Sequence, residues 1–252
     1  MPRVTTLCLF FVQAAIAGAD TSIPFRIAAA VEDAARPANQ VALDVWRKPG
    51  ELIAYAGVKP GDRIADFMSG NGYFIRILSH VVGRQGRVYA FLPIQQLANC
   101  APEETAGTIA LRNHTHYSNV KLLSMPAEHF SAPELLDEVW IVQGYHDLHD
   151  KFMEPANVAT VNTAVFNSLK PGGIYLIVDH VARSGSALHD TETLHRIDPA
   201  TIRTEVTRAG FQLESESNLF RNPADTHELA VFDPAIRHQT DQIVLKFRKP
   251  RV

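Results

Sequence analysis

From residue 63 onward, short apolar runs alternate with segments in which apolar residues recur at helical spacing. Runs at 63–67, 87–92, 120–124, 138–142 and 174–179 each have Gly, Pro, Asn or Asp on at least one side, which predicts five strands. Between the first two, Phe74, Ile75, Leu78, Val81 and Val82 fall at i, i+1, i+4, i+7 and i+8, one apolar face of a helix that begins near Gly72. A second helix is expected over 153–169, stopped by "KPGG". A third opens at "DPATIRTEV", with Asp198 as N-cap, Pro199 at the first helical position and Gly210 at its end. Strands alternating with helices predict a parallel sheet covered on both faces. The tail differs: "FQLESESNLF" and "DQIVLKFRK" both read as strands, and the loop between them has no helical period, so an antiparallel pair is expected. A connection as long as 218–239 is a candidate lid, although its acids and arginines, Asp233 and Arg237 among them, also suit structural salt links.

The chain divides into three parts. Residues 20–61 mix Ala-rich helical stretches with Pro37, Pro49 and Pro60, each a break, and form a helical preface to an α/β domain over 62–252. Residues 1–19 read as a signal peptide: Arg3, an apolar stretch, then small-residue sites that place cleavage after Ala17 or Ala19. This predicts an exported, periplasmic protein; if the stretch is not a signal but an apolar N-terminal helix of the fold, the protein is cytoplasmic. No segment of the mature chain is apolar for long enough to span a membrane. Cys8 would leave with the signal and Cys100 would remain alone, so no intramolecular disulfide is expected.

Composition narrows the partners. With 46% hydrophobic residues, 20% charged and a net charge of −3, the chain is ordinary for a globular protein and has no basic tract for nucleic acid or anionic membrane. A small-molecule substrate is the expected partner. The sequence sets no oligomeric state.

The first strand ends in an acid and runs into "DFMSGNGYF", a strand, glycine turn and helix that would let a ligand lie on backbone N–H groups at the carboxyl edge of the sheet. A dinucleotide fingerprint needs a third glycine where Ile75 stands, and a triphosphate loop needs Gly-Lys-Ser/Thr, which is absent. What remains is D-x-x-x-G-x-G, at Asp66, Gly70 and Gly72.

With "VKPGDRI" before it, "LKPGGIYLIVDH" at the fifth strand and two closing strands, the chain resembles the class I S-adenosylmethionine-dependent methyltransferases. More narrowly, it resembles a family of predicted bacterial methyltransferases that share "YHDLHD" and "DHVARSGS…HDTETLHRID". The resemblance implies a Rossmann-like seven-stranded sheet, mostly parallel, with the last strand antiparallel and helices on both faces. It implies S-adenosyl-L-methionine as cofactor, seated by Asp66 and the turn of Ser69, Gly70, Asn71, Gly72 and Tyr73, with Gln143 beside it. Such enzymes hold the ribose through an acid at the end of the second strand, where this chain has Phe91 and Leu92. Glu128 would be the polar group on the adenine side.

Two acid and histidine segments follow the fourth and fifth strands: "QGYHDLHD", with His146, Asp147, His149 and Asp150, and "DHVARSGSALHDTETLHRID", with Asp179, His180, His189, Asp190 and His195. His146 is the first candidate for a base toward the methyl acceptor, with Asp147 or Asp179 orienting it and His149 and His180 nearby. His146 and Asp147 equally suit a turn cap. The same groups offer nitrogen and oxygen donors for a divalent ion, but their spacing matches no dedicated metal motif, so no metal is assigned. The reading is a methyltransferase acting on a small molecule. The alternative is an exported non-methylating enzyme, such as a metal-dependent hydrolase or lyase, or a binding protein on the same scaffold, which the missing ribose acid favours.

Overall fold

The computed structural model describes residues 23–251; the signal peptide expected over 1–19 lies outside the described residues. The preface folds into four short helices, α1 (Phe25–Val31), α2 (Ala38–Val41), α3 (Asp44–Arg47) and α4 (Pro49–Ala56). Prolines set these breaks. Pro37 precedes α2, and Pro49 opens α4 immediately after Lys48, whose left-handed φ of 38° ends α3.

Seven strands follow, β1 (Arg63–Phe67), β2 (Arg87–Phe91), β3 (Val120–Leu123), β4 (Leu136–Val142), β5 (Leu169–His180), β6 (Gln212–Ser217) and β7 (Gln242–Arg248). Interleaved with them are α5 (Tyr73–Val82), α6 (Ile94–Asn99), α7 (Glu103–Ile109), α8 (Val158–Ser168), α9 (Thr191–Leu194) and α10 (Pro199–Arg208). The sheet order is β3-β2-β1-β4-β5-β7-β6, parallel from β3 to β5, with β7 antiparallel to both of its neighbours. The chain winds outward from β1 in one direction and from β4 in the other. Their carboxyl ends therefore open a crevice at the point where the winding reverses.

Alternation along the buried strands sends side chains to two cores. Phe67, Phe91, Val139, Ile141, Tyr175 and Ile177 pack with residues of α8 and α10 on one face. Ile64, Val88, Trp140 and Leu176 pack on the other with α1, α4 and the Phe74, Ile75, Leu78, Val81, Val82 stripe of α5, all of it buried.

The structure departs from the expected elements at two joints. Asn157 accepts a hydrogen bond from the Thr160 amide at 3.1 Å and caps α8, so this helix starts at Val158, and the preceding residues form short 3-10 turns. "KPGG" ends α8 but also belongs to β5: pairing with β4 jumps from Leu136↔Leu169 to Glu138↔Ile174, and the extra residues bulge, with Gly172 at φ 80°. α10 keeps its Asp198 cap, which accepts from the Ala200 amide at 2.9 Å, and Gly210 stands past its end at φ 102°.

The long connection between β6 and β7 is tied to the body. Buried Arg196 pairs with buried Asp225 at 2.9 Å. Asp241 accepts from Arg221 Nε and from the Asn222 amide, both at 2.8 Å. Asp233 turns the chain locally by accepting from the Ala235 amide at 2.9 Å.

Candidate active site

In the crevice between the carboxyl ends of β1 and β4 lies a cavity of about 370 Å3, within the size range of small-ligand sites. Its floor is the turn after β1, which contributes Asp66, Met68, Ser69, Gly70, Asn71 and Tyr73. The turn is held from several sides. Met68 and Ser69 amides donate to the Phe91 carbonyl at 3.0 and 3.2 Å, Thr108 Oγ1 donates to the Gly70 carbonyl at 2.7 Å, and Gln40 of α2 and Arg76 of α5 both donate to the Asn71 carbonyl at 2.9 Å.

Two cavity residues are held in left-handed backbone that only glycine adopts freely: Met68 at φ 61° and Gln143 at φ 59°. They follow β1 and β4 directly, so both strands that open the crevice end in the same strained turn. Gln143 accepts from Arg47 Nη2 at 3.0 Å and donates to Gln242 Oε1 at 3.0 Å. Arg47, from the preface, stacks over the Tyr73 ring at 4.7 Å.

Asp66 is the electrostatic centre of this floor. It is buried, and its carboxylate has no ion-pair partner within 4.0 Å among the described residues. Burial pushes its carboxyl up to about 7, against the attraction of Arg47. Two further cavity atoms are buried without a hydrogen-bond partner among the described residues, Ser69 Oγ and Gln96 Oε1. Unpaired buried groups of this kind are costly unless a ligand satisfies them.

Asp66, Ser69, Gly70, Asn71, Tyr73, Gln143 and Asp147 line the cavity together. Gly72 does not; its φ of 76° and a Cβ that would stand 2.9 Å from Arg76 Nη1 and Thr108 Oγ1 make it a structural glycine at the start of α5. Phe91 is not at the cavity either. Its ring is fully buried against Phe67 and Phe130, with centroids 4.6 and 4.9 Å away. Glu128 instead holds the residue that caps α8, accepting from the Asn157 amide at 3.0 Å, and accepts from Gln95 Nε2 at 3.1 Å. The polar groups on that side of the cavity are Gln96 of α6 and Glu104 of α7. Gln96 stands five residues past Phe91, in the same stretch where an acid is absent.

The histidine segments separate into two networks. In the first, His146 is buried with Nδ1 2.7 Å from Asp179 Oδ1 and Nε2 3.1 Å from Asp147 Oδ1. Burial alone would depress this imidazole, but the two carboxylates hold it well above its usual range. Despite its burial, the same contact holds Asp147 down at about 2, as an anion facing the cavity. His195 Nδ1 lies 3.7 Å from Asp147, and its ring packs 4.9 Å from Phe232, which reaches the cavity from the β6–β7 connection. In the second network, His149 and Tyr145 meet Glu205 of α10 at 3.3 and 2.9 Å, away from the cavity. His180 is buried beside Thr240 Oγ1 at 2.8 Å, and burial keeps it neutral, pushed down to about 3.

The fold is that of the class I S-adenosylmethionine-dependent methyltransferases. A methyltransferase of this kind from Aquifex aeolicus superposes with a TM-score of 0.55 at 16% identity, over 84% of this chain and 93% of that one. The glycopeptide N-methyltransferase MtfA, solved with sinefungin, gives 0.54 at 13% identity over 82% and 86%. The (4+2)-cyclase SpnF gives 0.58 at 16% identity over 84% and 82%. No family profile matches the chain, and no curated protein matches it in sequence.

Proposed function

We propose that this chain is an S-adenosylmethionine-dependent methyltransferase acting on a small molecule, of the family that shares the "YHDLHD" segment. The observation that carries the reading is the unpaired, buried Asp66 carboxyl on the floor of the crevice, with Ser69 Oγ and Gln96 Oε1 unsatisfied beside it. A donor that bears an α-ammonium, a sulfonium and ribose hydroxyls suits this set: its cationic end relieves the cost of ionising Asp66, and its hydroxyls satisfy Gln96 and Glu104 where a β2 acid is missing. When bound, the donor supplies the electrophilic methyl group.

The protein's contribution is alignment, with the acceptor atom held about 3 to 3.5 Å from the methyl along the line of displacement. Met68 and Gln143 are fixed by strained backbone, and Arg47 braces Gln143 on the opposite wall. With carboxylates on both ring nitrogens, His146 orients Asp147 rather than accepting a proton. Asp147, the anion at the cavity wall, would accept a hydrogen bond from the acceptor and orient it, with the acceptor's proton leaving to solvent. His149 and His180 take no part in this scheme.

Export remains part of the proposal, resting on residues 1–19, and recovery of the mature chain from a periplasmic extract tests it. Among the described residues no helix is long and apolar enough to cross a membrane. The second reading, a non-methylating enzyme or binding protein on this scaffold, draws on the cyclase of similar fold and on the burial of Phe91. Calorimetry with S-adenosylmethionine and S-adenosylhomocysteine on the chain lacking residues 1–19 separates the two readings; no binding at millimolar ligand sinks the first.

A further inference from the structure

His146, Asp147, Asp150 and His195 come from two loops, after β4 and after β5, yet one donor atom from each lies within 4.8 Å of the other three. Ligands about 2.1 Å from a tetrahedral ion stand about 3.4 Å from one another. His146 Nε2 to Asp147 Oδ1 at 3.1 Å and His195 Nδ1 to Asp147 Oδ1 at 3.7 Å bracket that spacing. We propose that these four residues bind one divalent transition-metal ion of the zinc type, on the wall of the cavity that Asp147 lines.

Two independent features support a built site. First, the other nitrogen of His146 is fixed by a buried carboxylate: Nδ1 lies 2.7 Å from Asp179 Oδ1, and Asp179 is itself anchored by accepting from the His146 and His180 amides at 2.8 and 2.7 Å. A carboxylate behind a histidine is the usual outer support of a metal-binding imidazole, setting its orientation and raising its basicity. Second, Asp150 is only 3% exposed and its Oδ1 has no hydrogen-bond partner among the described residues, a cost that coordination removes. Asp147, Asp150 and Asp179 bring three carboxylates around two imidazoles, an excess of negative charge that a divalent ion offsets. Mixed nitrogen and oxygen donors suit zinc and its neighbours over calcium or magnesium, which prefer all-oxygen shells.

The ordinary competitor is a protonated His146 that bridges Asp147 and Asp179 with no ion at all. Metal binding and donor binding are separate claims: the ion's site does not depend on the methyl-transfer reading, whereas a role for the ion in meeting an acceptor oxygen does rest on it. Asp33, His80 and His116 form a second, more exposed group, with donor atoms 3.0 to 3.1 Å apart, and serve as the internal control.

The test is titration of the chelator-treated chain, residues 20–252, with Co2+, followed by visible absorption of the bound ion and by metal content after desalting. One equivalent is expected, with intense low-symmetry bands. Asp150→Asn and His195→Gln should each weaken uptake by at least tenfold, Asp179→Asn by about 10- to 100-fold, and His80→Ala should leave it unchanged. Thermal melts establish that each variant is folded, and His195, which is partly exposed, is the variant least able to fail by misfolding. The proposal is overturned by absence of stoichiometric uptake, by wild-type affinity in folded His195→Gln, or by loss of the ion in His80→Ala. Donor calorimetry on the metal-free protein reads the methyl-transfer claim separately, so either can fail alone.

Discussion

Replacing Asp66 by Asn should stabilise the ligand-free protein while removing its affinity for the donor. In the folded chain burial holds the Asp66 proton up to about pH 7, whereas its ordinary value is 3.8. Between those values the folded state binds more protons than the unfolded one, so stability falls as pH rises from about 4 to about 7, and the loss is complete above that window. At about 1.4 kcal/mol per tenfold change in proton affinity, the interval corresponds to about 4 kcal/mol; an effective dielectric above that of a dry interior reduces this to about 2 kcal/mol. Asn resembles the protonated acid and avoids the penalty at every pH. The assay is urea or thermal denaturation of both proteins from pH 4 to pH 8. The stability gap in favour of Asp66→Asn should be small at pH 4 and should widen to about 2–4 kcal/mol at pH 8, a shift of several degrees in Tm. Glu138, another buried acid, pushed up to about 8 by burial, is common to both proteins and cancels in the difference. A gap that stays constant with pH, or a less stable variant at pH 8, would refute the claim that Asp66 is buried without a sufficient partner.

Two further substitutions test the turn and the missing acid. Gly72→Ala should cost about 1–3 kcal/mol in a thermal melt, because φ is 76° and the new Cβ meets Arg76 and Thr108, whereas Gly70→Ala, with 3.9 Å to its nearest neighbour, should cost only the strain of φ 50°. Phe91→Glu, which installs an acid at the end of β2, should unfold the protein rather than tighten donor binding, and Phe91→Ala should cost about 3–5 kcal/mol in urea denaturation. Tighter binding by Phe91→Glu would show that the ring faces the cavity and not the core.

The sheet was legible because burial on both faces leaves continuous apolar runs, and α5 because its stripe repeats at helical spacing; Asp198 and Gly210 marked the ends of α10 by their own chemistry. Boundaries were harder where a strong signal acts twice: "KPGG" stops α8 and then bulges within β5, and the Asn157 cap overrides the apolar residues before it. At the site, the tight turn after β1 was readable, since Gly70 and Gly72 do adopt positive φ. The rest depends on contacts between distant segments. Arg47 comes from the preface, Gln96 and Glu104 from helices beyond β2, and Phe232 from a connection more than eighty residues after the "YHDLHD" turn. Nothing in the spacing of His146 and His149 reveals that one turns to Asp179 and the other to Glu205.

The central claim is that the crevice seats a cationic donor on an ionised Asp66. Isothermal titration of S-adenosylmethionine into the chain lacking residues 1–19, at pH 6 and pH 8, addresses it most directly. One-to-one binding should tighten by about tenfold as Asp66 loses its proton through pH 7, and Asp66→Asn should show neither the binding nor the pH dependence. No heat at millimolar ligand, or equal affinity at both pH values with Asp66→Asn unchanged, would contradict it.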